Sequence, residues 1–227
     1  QGGRQIEKIF YVCEKGTVLP EAPCVEVVRT EGVENVRTAL SELLSSERID
    51  AVVHSMAVSD YAVDRMTTVG DLSAFLAHRL SSLSREDCQD EEALSGRIRQ
   101  WIGENDRLID RDKKVGSDLK NPLLFLKQTP KLIGLIKTLC PSAILVGFKL
   151  LDHVEPGTLL DVGSRLMKKN ACDFVLANDS AQIGENRHVG YLISADFSWQ
   201  KLETKAEIAE KIARSVLNLY DRKAGKA

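Results

Sequence analysis

The sequence predicts an α/β fold, a mostly parallel sheet with flanking helices, a C-terminal hairpin and a partly helical insert. Three features predict it. Short apolar runs alternate with segments of helical periodicity, the strand candidates are almost continuously apolar as in strands covered on both faces, and a polar stretch separates two blocks of that alternation.

Ile9 to Cys13 reads as a strand, Val33 to Ser46 as a helix with Val36, Leu40, Leu43 and Leu44 on one side, and Asp50 to Met56 as the next strand. After the polar stretch, Leu123 to Lys127 reads as a strand. Thr129 and Pro130 then suit the cap and first turn of a helix carrying Leu132, Ile133 and Ile136. Ala143 to Leu150 is a buried-strand candidate, Thr158 to Lys169 a helix, and Asp173 to Ala177 another strand, so β-α-β units of a Rossmann-like sheet are expected. His188 to Ser194 and Ser198 to Glu203, joined by the short link 195–197, predict a terminal hairpin. Thr204 followed by Glu207 gives a capping box, and Ile208, Ile212, Val216 and Leu219 form the apolar stripe of a last helix that should cover the sheet.

The chain is read as a single domain over 1–227, with 64–113 as an insert or flap within it. That insert is no simple linker. Leu72, Phe75, Leu76, Leu80 and Leu83 recur at helical spacing, and so do Leu94, Ile98, Trp101 and Ile102. It suits either surface elaboration or a cap over a ligand crevice.

The 227 residues carry 31 basic and 33 acidic side chains, a net charge of -2, which supplies no overall positive field for nucleic acid or an anionic membrane. No apolar run approaches the ~18 residues of a membrane span. Cys13, Cys24, Cys88, Cys140 and Cys172 are odd in number, scattered and without C-x-x-C spacing, which disfavours a disulfide framework and a zinc site and fits a cytoplasmic protein. The histidines are isolated from one another, and no metal-ligand set is expected.

Open α/β sheets bind ligands beyond the carboxyl ends of their strands. Three such ends stand out. In 55–61 the small residues allow close backbone approach, and Asp60 can accept hydrogen bonds from sugar hydroxyls or a base. Phe148, leaving a strand beside Gly147, can lie against a nucleobase or belong to the core. Asn178 and Asp179 follow the next strand, after a helix whose Arg165 and Lys169 share a face and can approach a polyphosphate, or serve only to compensate the helix dipole. The loop holding Lys113 and Lys114 supplies a further cation.

Singly these features are weak, but their order is specific. The segments Ala57-Val-Ser-Asp-Tyr61, Lys114-Val115, Lys127-Gln-Thr-Pro130, Gly147-Phe148 and the run from Lys169 to Asp179 together resemble the phosphopantothenate–cysteine ligase family, also called phosphopantothenoylcysteine synthetase. The likeness covers most of the chain outside the insert. It implies a ligase of coenzyme A biosynthesis that joins 4'-phosphopantothenate to cysteine through an acyl-nucleotide, with CTP or ATP as co-substrate and Mg2+ as its counter-ion. It further implies a homodimer, Lys114 as the catalytic cation, Asp60, Phe148, Arg165, Lys169, Asn178 and Asp179 on the nucleotide side, and Ala57 beside the acyl group. The family places a glycine-rich loop in a first strand-loop-helix unit that is not found before Gln1, so an upstream segment is expected. The competing expectation is a non-catalytic Rossmann-like nucleotide-binding or regulatory module. A short-chain oxidoreductase is disfavoured, because no Tyr-x-x-x-Lys pair or complete G-x-G-x-x-G unit is readable.

Overall fold

The computed structural model describes residues 6–109, 118–185 and 187–225. Its elements in chain order are β1 (Ile9–Glu14), β2 (Val25–Thr30), α1 (Gly32–Ser46), β3 (Ala51–His54), β4 (Tyr61–Thr68), α2 (Val69–Leu80), α3 (Glu91–Glu104), β5 (Pro122–Gln128), α4 (Leu132–Leu139), β6 (Ile144–Leu151), α5 (Pro156–Asn170), β7 (Phe174–Ile183), β8 (His188–Ser194), β9 (Trp199–Leu202) and α6 (Lys205–Lys223). The α/β fold predicted from the sequence is the one observed.

The chain forms two compact units, 1–58 with 131–227, and 59–130. In the first, five strands are ordered β3-β6-β7-β8-β9. β3, β6 and β7 are parallel, whereas β8 and β9 return as the antiparallel hairpin expected at the C-terminus. Side chains alternate across this sheet. Leu145, Val175 and Ala177 pack toward α1, α4 and α5, while Ile144, Val146, Phe174 and Leu176 pack toward α6. α5 comes especially close, because a Cβ on Gly163 would stand 2.6 Å from Ile193 Cδ1 and 3.2 Å from Ala177 Cβ. α6 starts on the expected cap: Thr204 accepts from Glu207 N at 3.2 Å, and the Glu207 carboxylate accepts from Glu203 N at 2.8 Å.

At the opposite edge from the strand carboxyl ends, Lys137 donates to Asp173 Oδ2 at 2.8 Å and to the Ala143 carbonyl at 2.7 Å, Leu145 N donates to the same Oδ2 at 2.9 Å, and Lys223 approaches Asp173 Oδ1 at 3.3 Å. One carboxylate thereby ties α4, β6, β7 and α6. Cys13 and Cys172 are buried; the Cys13 sulfur accepts from Arg29 Nη1 at 3.4 Å, whereas Cys172 packs as a small apolar group and burial pushes its thiol up to about 11, which keeps it unreactive.

Three local expectations change. β2 was not foreseen; it pairs in parallel with β1 as a separate two-stranded sheet. β5 does not continue the parallel alternation, but pairs antiparallel with β4. α4 begins at Leu132 without a side-chain cap, and the Thr129 hydroxyl donates instead to the Ser59 carbonyl.

The second unit is built on the β4-β5 ribbon with α2 and α3, and it extends past the expected 64–113 on both sides. Thr68 and Asp90 cap its helices, Arg79 joins Glu104 at 3.1 Å, and Phe75 and Trp101 are its buried aromatics. Arg65 stacks on Phe125 at 4.5 Å and donates to the Gly103 carbonyl at 2.8 Å, joining the ribbon to the end of α3.

Candidate functional site

Parallel strands β3, β6 and β7 end along one edge of the first unit. Register fixes which residues reach it: Phe148 lies beside Leu176, Leu150 beside Asn178, and Leu151 beside Asp179. Ala57, exposed, follows the end of β3 at the same edge.

Phe148 packs against the cluster covered by α6 and is half-buried, so part of its ring remains open. Its neighbour Gly147 has a packing role on the other face, where a Cβ would meet Ile133 Cδ1 at 3.0 Å and Cys172 Sγ at 3.2 Å. Asn178, two residues beyond Leu176, shares the Phe148 face. Its amide nitrogen lies 3.2 Å from His188 Nε2, a contact absent from the sequence reading, which set the histidines aside. With Asn178 donating, His188 must be neutral and carry its proton on Nδ1. Burial and then the Lys205 charge hold the His188 imidazole below its usual range, which favours that neutral form.

Asp179 points to the other face and is 3% exposed. Its carboxylate accepts from His153 N at 2.9 Å, Val154 N at 3.1 Å and Ala181 N at 3.0 Å. Burial alone would push this carboxyl up, but the three amides outweigh it and hold it below the usual carboxylate range. Beside it, Ser180 hydrogen-bonds Asp152, whose carboxylate also meets His153 Nδ1 at 3.0 Å. The turn between β6 and α5 is thus tied to Asp179 and Ser180 within β7 at several points.

Arg165 and Lys169 are not brought to this edge. α5 starts at the strand carboxyl ends and runs back along the sheet, which places Lys169 roughly 20 Å along the helix from Pro156. Lys168 there stacks on Phe197 of the β8-β9 turn at 4.8 Å, and Lys168 and Lys169 occupy the last turn before the left-handed Ala171. Asp60, exposed, belongs to the second unit, where its carbonyl accepts from Thr129 N at 3.0 Å. Lys114 lies outside the described residues.

Among the described residues no group of three His, Cys, Asp or Glu side chains is placed to hold a metal ion. Among them, too, no helix is long and apolar enough to cross a membrane.

Sheet, helices and ligand edge define an open, Rossmann-like α/β domain. No family model matches the chain. A curated relative, the coenzyme A biosynthesis bifunctional protein CoaBC of Thermococcus kodakarensis, is 33% identical over 92 residues, 40% of this chain and 23% of its own length. The chain therefore spans about a quarter of that relative. The crystal structure of a DNA/pantothenate metabolism flavoprotein from Streptococcus pneumoniae is similar over 93% of this chain and 81% of its own, at 26% identity and a TM-score of 0.71. A Cab2 mutant in complex with phosphopantothenate-cysteine, at 15% identity and a TM-score of 0.52 over 89% of this chain and 55% of its own, shares the fold. The first two likenesses bear out the resemblance to the phosphopantothenate–cysteine ligase family that the ordered motifs carry, and the third bears out the fold.

Proposed function

We propose that the protein is a ligase of coenzyme A biosynthesis joining 4'-phosphopantothenate to cysteine through an acyl-nucleotide. What carries this is the ordered motif series from Ala57 to Asp179 within a likeness that spans 93% of the chain. The substrate carboxylate attacks the α-phosphorus of CTP or ATP, a new P–O bond forms, the bond to the bridging oxygen breaks, and pyrophosphate leaves. The cysteine amine then attacks the acyl carbon, forming the C–N bond as the nucleoside monophosphate departs.

Both reactants of the first step are anions, so fixed positive charge lowers its barrier most. Lys114 is the residue assigned to that role. The open part of the Phe148 ring is assigned to the base of the nucleotide, with Asn178 on the same face of the sheet, and the assignment of Asp60 to the nucleotide rests on the resemblance alone. Ala57, small and exposed beyond β3, leaves room for the acyl group. Mg2+ would enter with the triphosphate as its counter-ion. Arg165 and Lys169 stand away from this edge and take second place to Lys114 as phosphate cations.

The test is pyrophosphate release by the full-length protein with CTP and with ATP. Release that requires 4'-phosphopantothenate supports the ligase. Tight nucleotide binding without turnover supports the binding module instead. The homodimer belongs to the same proposal and is read by sedimentation equilibrium, where a monomer at all concentrations would remove it.

A further inference from the structure

Asn178 and Asp179 are adjacent residues with two different tasks. Asp179 presents two carboxylate oxygens, and Oδ1 already receives two amides, from His153 and Ala181, while Oδ2 receives Val154 N. An oxygen of this kind accepts about two hydrogen bonds, so little capacity remains for a ligand. The side chain is also buried on the face opposite Phe148.

What Asp179 holds is unusual. His153 has φ of 50°, the left-handed region that a residue with a Cβ adopts at a cost and glycine adopts freely. Its N–H and the next one are two of the three amides that Asp179 binds. That turn leaves β6 after Leu151 and starts α5 at Pro156, so its conformation sets how the strand bearing Phe148 ends.

We infer that Asp179 is a positioning residue: through the His153 and Val154 amides it fixes the β6–α5 turn that borders the nucleotide, without touching the nucleotide itself. This rests on the proposed ligase activity.

The test uses Asp179→Ala, Asp179→Asn and the double variant Asp179→Ala/His153→Gly of the full-length protein. Hydrogen exchange is followed at 153 and 154, and steady-state pyrophosphate release is measured with CTP and with ATP. Asp179→Ala should speed exchange at both amides and raise the nucleotide KM about tenfold with kcat changed less, the signature of a displaced rather than a missing contact. Asp179→Asn keeps one carbonyl acceptor and should lose less. Glycine at 153 should recover part of the loss, because it restores the left-handed turn without needing the carboxylate. If Asp179→Asn loses as much nucleotide affinity as Asp179→Ala while exchange stays at the wild-type rate, or if glycine gives no recovery, Asp179 is a ligand contact and the inference falls. Wild-type protein that releases no pyrophosphate removes the ligase reading first; an active wild type with unaltered KM in the Asp179→Ala variant removes this inference alone. Should the alanine variant fail to fold, the asparagine variant decides by the same two measurements.

Discussion

β5 and β6 read alike in sequence, Leu123-Leu-Phe-Leu126 against Ile144-Leu-Val-Gly-Phe148, yet they have opposite environments. β6 lies between two parallel neighbours with helices over both faces, and its first four residues are buried. β5 has a single partner, and Leu124 and Leu126 are 52% and 58% exposed. An apolar run therefore specifies a strand without specifying what will cover it. Covering comes from the helices on either side, and only the first unit supplies them on both faces.

Core truncation should expose this contrast most strongly. Leu145→Ala, at a fully buried position, is expected to cost about 3–4 kcal/mol in urea unfolding, whereas Leu126→Ala should cost under about 0.5 kcal/mol. Equal losses would mean that the ribbon is as tightly covered as the sheet. Next in size, Lys114→Ala should lower the rate of pyrophosphate release roughly 100-fold while changing nucleotide affinity less, about 2.7 kcal/mol of activation free energy. An unchanged rate would take Lys114 out of the mechanism.

Lys137→Met should cost about 2 kcal/mol by leaving the half-buried Asp173 carboxylate with the more distant Lys223. Its pH dependence has a fixed sign. Burial pushes Asp173 up, but Lys137, the Leu145 amide and Lys223 outweigh it and hold the folded carboxyl below its usual range. Its stabilisation is therefore complete above the unfolded pKa of about 3.9 and is lost as pH falls through the lower folded value, and Lys137→Met should shrink that acid dependence in the same urea titrations. Gly163→Ala should cost about 1–2 kcal/mol in calorimetry, since its new methyl must displace Ile193 while Ala177 holds the other side.

The smallest expected effect concerns His188. Its folded imidazole is held below the usual range, so the neutral form that receives Asn178 is present throughout at neutral pH, and stability declines as pH drops below about 6.5 toward the folded value. His188→Gln should flatten melting temperature against pH across that window. A slope equal to wild type would show that His188 titrates as in the unfolded chain.

Much of the first unit was legible because its signals are side-chain signals. The apolar stripe of α6, the Thr204–Glu207 cap and the run 143–150 all follow from periodicity and cap chemistry. β2 was missed although Val25 and Val27 flank Glu26, since six residues of partial alternation fall below what a short strand must show. β5 was read into the parallel alternation, because pairing is a property of two segments and the run 123–126 carries no record of β4. At the candidate site, Phe148 and Asn178 were singled out by motif order, but the work of Asp179 was invisible: its partners are backbone amides, which every residue has, and only the fold says which ones face a carboxylate.

The central claim is that a carboxylate is activated on a nucleotide before cysteine takes part. Isotope exchange between pyrophosphate and CTP or ATP, run on the full-length protein with 4'-phosphopantothenate and no cysteine, tests it most directly. Exchange that appears only when 4'-phosphopantothenate is added is the predicted result; exchange that is absent without cysteine, while complete turnover proceeds, would contradict it.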